Sequence, residues 1–243
     1  MMKPLTLLAI SGSPRKKGNS MQFLADTLAV LPELNWPVTV TEYSFAAKKF
    51  SPCIGCLSCY KRGGECVFQD DFQELRELWV GADIILYAFP IYGLNMPGQM
   101  KCFLDRLGNA FYGYYPVSSV RHLKVIGALP QGGVSMGGQE ISNLFVMAHA
   151  ALMNSVYVSG DGAHVGSGAI SGAGGNPNSF REKLAAEEPA YCQELAMARN
   201  MLTRMVEMAA ILRSGALSLA ETLAQDAHYG PPLQRMRKNA GEE

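Results

Sequence analysis

An α/β fold, a parallel sheet with helices on both faces, is predicted by two features of this chain. Strand-length apolar runs alternate with helix-periodic segments from Leu5 to Ser159, and Gly-, Ser- and Pro-rich loops follow three of the strands. Leu5 to Ile10 is a short apolar run ending in Ser11-Gly12-Ser13, and Ser20 to Leu31 reads as the helix that follows it. Val38 to Tyr43 is a second strand, after which a cysteine-rich loop interrupts the alternation. Asp70 and Asp71 are placed to cap a helix over Phe72 to Val80, and Ala82 to Phe89 is a continuous buried strand. A helix from about Pro97 to Leu107, a strand from about Leu123 to Leu129, a helix from about Gly138 to Met153 and a strand over Val156 to Ser159 complete the pattern.

Beyond Gly160 the character changes. Residues 160–177 are rich in Gly, Ala and Ser without a hydrophobic period, so an irregular excursion is expected. Phe180 to Leu212 reads as one or two long helices broken near Pro189, and Leu217 to Ala224 as a short one. From Gly230-Pro231-Pro232 the chain reads as a polar tail, either disordered or an arm on a partner subunit. The expected organisation is one α/β domain over 1–214, carrying the cysteine loop at 51–66, and a C-terminal extension or tail over 215–243.

Composition narrows the function. The 243 residues are 48% apolar and 17% charged, with zero formal net charge and no basic run longer than Arg15-Lys16-Lys17, which argues against a nucleic-acid partner. The apolar runs are strand-sized, so neither a membrane span nor a signal peptide is expected. Six cysteines without a secretory signal point to the reducing cytoplasm. His122, His149, His164 and His228 are scattered without a paired carboxylate spacing, and no acid/base catalytic side chain is expected.

Four of the cysteines dominate the reading. Cys53, Cys56, Cys59 and Cys66 stand in the spacing C-x2-C-x2-C-x6-C, which gathers four thiolates in a compact, Gly-relieved loop, as a cubane iron–sulfur cluster requires. Structural zinc takes its cysteines as two separated pairs, which this spacing fits poorly, and a thioredoxin-like motif needs only one C-x-x-C. Bare redox thiols, zinc and a disulfide formed on oxidation stay as alternatives. Cys102 and Cys192 sit in helix-like contexts and read as core residues.

Three loops fall at the carboxyl ends of the expected strands, where open parallel sheets bind ligands. The first, Ser11 to Ser20, offers hydroxyls at Ser11, Ser13 and Ser20, the Asn19 amide, the Arg15 charge and the backbone N–H groups of a helix start, which suits a phosphate; a plain polar turn is the alternative. Five residues separate Gly12 from Gly18, where a Walker A loop has four, and no G-x-G-x-x-G is present. The second loop, Phe89 to Gly98, carries Tyr92 and Met96 to lie against a flat heteroaromatic ring, with Gly93 and Gly98 for close backbone approach. The third, Pro130 to Gln139, has four glycines suited to contact with a ligand.

Together these motifs resemble the NADPH-dependent FMN reductase superfamily, and specifically its iron–sulfur flavoprotein branch. The resemblance is carried by Gly12-Ser-Pro-Arg-x-x-Gly-Asn-Ser20, Pro52-Cys-Ile-Gly-Cys-Leu-Ser-Cys59 with Gly64-Glu-Cys66 and Asp70-Asp71, Pro90-Ile-Tyr92 with Pro97-Gly-Gln-Met-Lys-x-Phe-Leu-Asp-Arg106, and Gly132-Gly133. It implies a flavodoxin-like, doubly wound, five-stranded parallel sheet, to which the helix-like segments after Phe180 add a C-terminal helical extension. It implies that Ser11, Ser13, Arg15, Gly18, Asn19 and Ser20 hold the phosphate of FMN. Pro90, Ile91, Tyr92, Gly93, Leu94, Asn95 and Met96 would border one side of the isoalloxazine, and Gly132 and Gly133 the other. Cys53, Cys56, Cys59 and Cys66 would ligate a [4Fe-4S] cluster.

The function so implied is an FMN-dependent electron-transfer oxidoreductase, with reduced ferredoxin or NAD(P)H as donor and a small molecule or protein as acceptor. The alternatives are an NAD(P)H-dependent FMN or quinone reductase without a cluster, and a flavin and thiol redox sensor. A homodimer or homotetramer is expected, with the Gly-rich excursion, the long helices and the tail at its interface.

Overall fold

Leu5–Ser11, Ile84–Pro90 and Val125–Gly132, largely apolar and buried on both faces, make the centre of one parallel sheet. The computed structural model describes residues 3–162 and 165–241, so His164 lies outside the described residues. In chain order the strands are β1 (Leu5–Ser11), β2 (Val38–Ser44), β3 (Ile84–Pro90), β4 (Val125–Gly132), β5 (Val156–Tyr157) and β6 (Ala169–Ile170). Five of them lie in the order β2-β1-β3-β4-β5, and β6 adds to β4. Leu5 pairs with Val38, Leu7 with Ile84 and Ile84 with Val125, every pairing being parallel. This is the flavodoxin-like strand order, with its switch point between β1 and β3.

β3 and β4 are buried at every residue, which is why they read as unbroken apolar runs rather than alternating ones. The helices are α1 (Asn19–Leu28), α2 (Phe72–Gly81), α3 (Gly98–Tyr114), α4 (Gln139–Leu152), α5 (Ser179–Ala185), α6 (Pro189–Ser218), α7 (Ala220–Leu223) and α8 (Gly230–Ala240). Ile85, Tyr87 and Phe89 pack toward Trp79 of α2, Phe103 of α3 and Val146 of α4. Their neighbours Ile84, Leu86 and Ala88 point the other way, toward Phe23 of α1 and Met201 and Met205 of α6. The period of two thus divides one strand between two cores.

Several boundaries differ from expectation for tertiary reasons. α3 runs to Tyr114 rather than Leu107, because Ala110 and Phe111 are also buried. The fifth strand position is split: β5 stops at Tyr157, and β6 resumes opposite Gln131 and Gly132. The excursion therefore returns to partner the exposed edge of β4, whose backbone groups need satisfying. Pro189 separates α5 from α6 as expected, sitting in the first turn of α6 where its missing N–H costs nothing. α6 continues past Leu212 to Ser218, with Arg213 and Ala216 buried.

The largest correction concerns the segment from Gly230. Instead of a polar tail or an arm, it forms α8, with Pro231 and Pro232 in its opening turn and Pro232, Leu233 and Met236 buried. Leu233 and Met236 close a small core with Ala216 and Ala220. Polar anchoring completes it: the Arg235 guanidinium donates to the carbonyls of His122 and Leu123, and the Asn239 amide donates to Asp83. Excursion and C-terminal helix thus pack on their own chain.

Candidate functional site

Three loops meet at the carboxyl ends of β1, β3 and β4. The cleft between them is lined by Ser13, Arg15, Gly18, Asn19, Ser20, Pro90, Ile91, Tyr92, Gln131, Gly132, Gly133 and Ser171. α1 starts there with Gly18 as its N-cap and no side-chain cap, so its first N–H groups are left for an anion. The Ser13 hydroxyl accepts from the backbone N–H of Arg15, and the Arg15 side chain is exposed. Ser20 accepts from the Gln131 amide at 3.1 Å, which leaves its O–H free to turn toward the cleft.

Some expected residues are placed otherwise. The Asn19 amide is committed to the returning excursion, donating to the Asn176 carbonyl and accepting from the Phe180 N–H. Ser11 is fully buried at the end of β1, and its hydroxyl has no partner among the described residues. Met96, expected against the ring, is instead 5% exposed and packed in the core beside Met100 and Phe103. Tyr92 to Asn95 form a tight turn, with Gly93 at φ 56° and Leu94 at φ 67°, closed by the N–H of Tyr92 on the Asn95 carbonyl. Tyr92 and Leu94 stand 47% and 58% exposed at the rim.

Two glycines of the third loop are needed for close approach. A Cβ on Gly132 would lie 2.7 Å from the Gln139 amide nitrogen, and one on Gly138 would lie 2.7 Å from the Cα of Leu94, joining the second and third loops. Gln131 and Ser171 were missed as site residues. Gln131 lies inside the Gly-rich motif, and its Oε1 is buried without a partner among the described residues. Ser171 lies far along the chain and reaches the cleft only through β6.

The cysteine loop leaves β2 at the same edge of the sheet. All four thiols line one cavity, together with Phe68 and with Arg106, Asn109 and Ala110 of α3. The turn that brings them together uses Gly55 at φ 65°, Leu57 at φ 55° and a 3-10 turn over Ser58–Lys61. Gly113 of α3 lets this turn lie against the helix, since a Cβ there would meet the backbone of Cys59 and Tyr60. The loop ends are closed by ion pairing: Asp70 accepts from the Ser51 N–H and the Phe72 N–H, and both of its oxygens accept from Arg106 Nη1 at 2.8 Å. Burial opposes ionisation of Asp70, but these donors hold its carboxyl below the usual carboxylate range. The Ser58 hydrogen bond lowers the Cys56 thiol, while burial, reinforced by the other three thiols, raises Cys59.

Among the described residues, no three Cys, His, Asp or Glu side chains converge as ligands of a single metal ion. A mononuclear zinc site needs its sulfurs about 2.3 Å from one point. The four cysteines line one cavity without converging on a single point. α3 links the two sites, since it begins just after the second loop and presents Arg106 to the cysteines eight residues later, roughly 12 Å along the axis at the helical rise.

The described histidines stay out of this chemistry. Burial depresses His122 to about 2 and His149 to about 4, leaving both neutral in the core. His228 does pair with a carboxylate, Asp226, at 2.6 Å, but on the opposite edge of the sheet. Also away from the loops, the outward face of α4 carries Ile141, Leu144, Met147 and Leu152, each 42% to 63% exposed. Among the described residues, no helix is long and apolar enough to cross a membrane.

A doubly wound parallel sheet with a Ser/Gly-rich loop at the start of α1 and two further loops around one cleft defines a flavodoxin-like protein. The chain belongs to the NADPH-dependent FMN reductase family, which matches residues 5–166, and within it to the iron–sulfur flavoprotein branch. It is 41% identical over 110 residues to an iron-sulfur flavoprotein of Archaeoglobus fulgidus, a match covering 45% of this chain and 47% of that protein's length. It is 32% identical over 176 residues to the iron-sulfur flavoprotein MJ1083 of Methanocaldococcus jannaschii, covering 71% of this chain and 86% of the relative. Among solved structures, RosB with its bound 8-demethyl-8-formylriboflavin-5'-phosphate shares the fold at a TM-score of 0.61 and 15% identity, over 91% of this chain and 85% of that one. Membership makes the chain a flavoprotein of the FMN-dependent oxidoreductase class.

Proposed function

We propose that this chain couples FMN in the cleft to a [4Fe-4S] cluster on Cys53, Cys56, Cys59 and Cys66, passing electrons from reduced ferredoxin or NAD(P)H to a small-molecule or protein acceptor. The observation that carries this reading is that all four cysteines line a single cavity against α3. When bound, FMN exchanges electrons in pairs or singly and the cluster exchanges them one at a time, so the two together connect hydride donors with one-electron carriers.

The protein's own part is positioning. Ser13, Arg15 and Ser20, with the first N–H groups of α1, would hold the phosphate, while Ser11 and Asn19 shape the loop from behind. Pro90, Ile91 and Tyr92 would border one side of the ring system, and Gly132 and Gly133 the other, with the Gln131 side-chain Oε1 as acceptor for a ligand N–H or O–H. The turn of Gly93, Leu94 and Asn95 forms the rim, and Met96 supports it from the core. No side chain has to move a proton for outer-sphere electron transfer. Cytoplasmic location agrees with thiols that must stay reduced. A homo-oligomer is favoured by the apolar outer face of α4, which begins directly after the third loop.

Anaerobic protein, reconstituted with iron and sulfide, tests the reading. About four irons per chain are expected, with a broad absorption shoulder beneath the flavin bands that dithionite bleaches; Cys66→Ala should lose both and keep FMN. One zinc per chain, or full FMN with no iron, refutes the cluster and leaves a flavin reductase with redox thiols. Steady oxidation of NAD(P)H or reduced ferredoxin with an acceptor present separates an enzyme from a sensor.

A further inference from the structure

The cysteine cavity has a wall that no cysteine makes. α3 turns Arg106, Asn109 and Ala110 toward it, at the i, i+3, i+4 spacing of one helix face. Arg106 is 2% exposed, and its guanidinium clasps both ends of the loop. Nη1 donates to the Ser51 carbonyl at 3.3 Å and to Asp70, Nη2 donates to the Phe68 carbonyl at 3.1 Å, and the group lies 4.3 Å from the centre of the Phe72 ring. Its Nε–H is buried and has no acceptor among the described residues. Buried donors of a charged group are rarely left so, and this one belongs to a side chain lining a cavity of thiols. Asn109 already touches two of those thiols: its side-chain amide nitrogen is 3.7 Å from the Cys53 sulfur, and its backbone carbonyl accepts from the Cys59 thiol at 3.5 Å.

We infer that Arg106 and Asn109 are positioning residues that hydrogen-bond to the sulfurs of the cluster, through Arg106 Nε–H and the Asn109 side-chain amide, and so raise its reduction potential. This rests on the cluster reading above. Reduction adds one electron to the cluster, and N–H donors aimed at sulfur, with a fixed cation behind one of them, stabilise the more negative state more than the oxidised one. The unpartnered Nε–H then has its acceptor only when the cluster is in place.

Anaerobic redox titration with dithionite as reductant, on reconstituted parent, Asn109→Ala and Arg106→Lys proteins of measured iron content, tests the inference. Arg106→Lys keeps the charge and removes the fork. Each variant should keep the parent's iron and become harder to reduce by about tenfold in the one-electron equilibrium, about 59 mV more negative. Two variants with full iron and the parent's potential overturn the inference and leave the cluster reading standing. A parent that takes up no iron defeats both. Should Arg106→Lys open the loop and lose the cluster, the parent labelled with 15N-arginine decides: a 15N coupling to the reduced cluster in pulsed paramagnetic resonance is expected, and its absence refutes the Arg106 assignment.

Discussion

Replacing Asp83 with Ala should remove more stability than any other single change at the edge of the sheet opposite the cleft. Asp83 accepts from the N–H and hydroxyl of Thr6 and from the Asn239 amide, and it pairs with Arg213 and Arg235. The carboxylate is 5% exposed, and the two arginine side chains are 2% and 8% exposed, so truncation leaves two guanidinium groups buried without their counter-charge. Breaking such a group from one side costs about 3–5 kcal/mol. In a chain of this length that lowers the melting temperature by about 6–20 °C. Burial works against ionisation of Asp83, but Arg235, Arg213 and Thr6 hold its carboxyl below the ordinary carboxylate range. The folded state therefore binds fewer protons than the unfolded state in acid. The stabilisation is complete above the unfolded carboxyl value near pH 4 and falls away as pH drops toward the lower folded value. Urea unfolding at fixed FMN concentration, at pH 7 and along an acid series, measures both effects. A loss below about 1 kcal/mol at pH 7, or an acid dependence unchanged by the substitution, would refute the argument that this carboxylate fastens α8 and α6 to the sheet.

Other expected outcomes concern the sites themselves. Arg15→Ala should weaken FMN by about tenfold or more, the loss of one charge-assisted contact of about 1.5–3 kcal/mol, while riboflavin, which lacks the phosphate, should bind the parent poorly. Fluorescence titration that finds FMN and riboflavin equal removes the phosphate assignment. Gly113→Ala places a methyl 2.7 Å from the Cα of Tyr60 and closer still to the Cys59 carbonyl, so reconstituted iron should fall while FMN occupancy holds; undiminished iron would show that the loop seats elsewhere. The pair Ile141→Glu and Leu144→Glu should shift the protein toward monomer in light scattering, because both side chains lie on the exposed face of α4. A mass unchanged from the parent would move the interface off this helix.

What the chain reveals without its fold is mostly what neighbouring residues decide between themselves. The alternation of β1, α1, β2, α2, β3, α3, β4 and α4 is legible because side-chain periodicity and turn chemistry are local. The cysteines and the Ser11 to Ser20 loop are legible because ligand spacing and loop composition are too. The split fifth strand was not, since β6 exists only because Gln131 and Gly132 of β4 have backbone groups to satisfy across the sheet. Ser171 reaches the cleft by that same pairing, so nothing beside it in the chain marks its role, whereas Gln131 stands inside the Gly-rich motif at the end of β4. Arg106 appears in the sequence as part of a motif on α3. Only the packing of that helix against residues 51–70 makes it the clasp of the cysteine loop. α8 is the clearest case. Its two prolines and polar composition read as a tail, and it becomes a helix because Leu233 and Met236 find apolar neighbours while Arg235 and Asn239 find Asp83, more than 150 residues earlier in the chain. Contacts between residues so distant carry no local signature, and their free energy exists only once the sheet has brought both partners together.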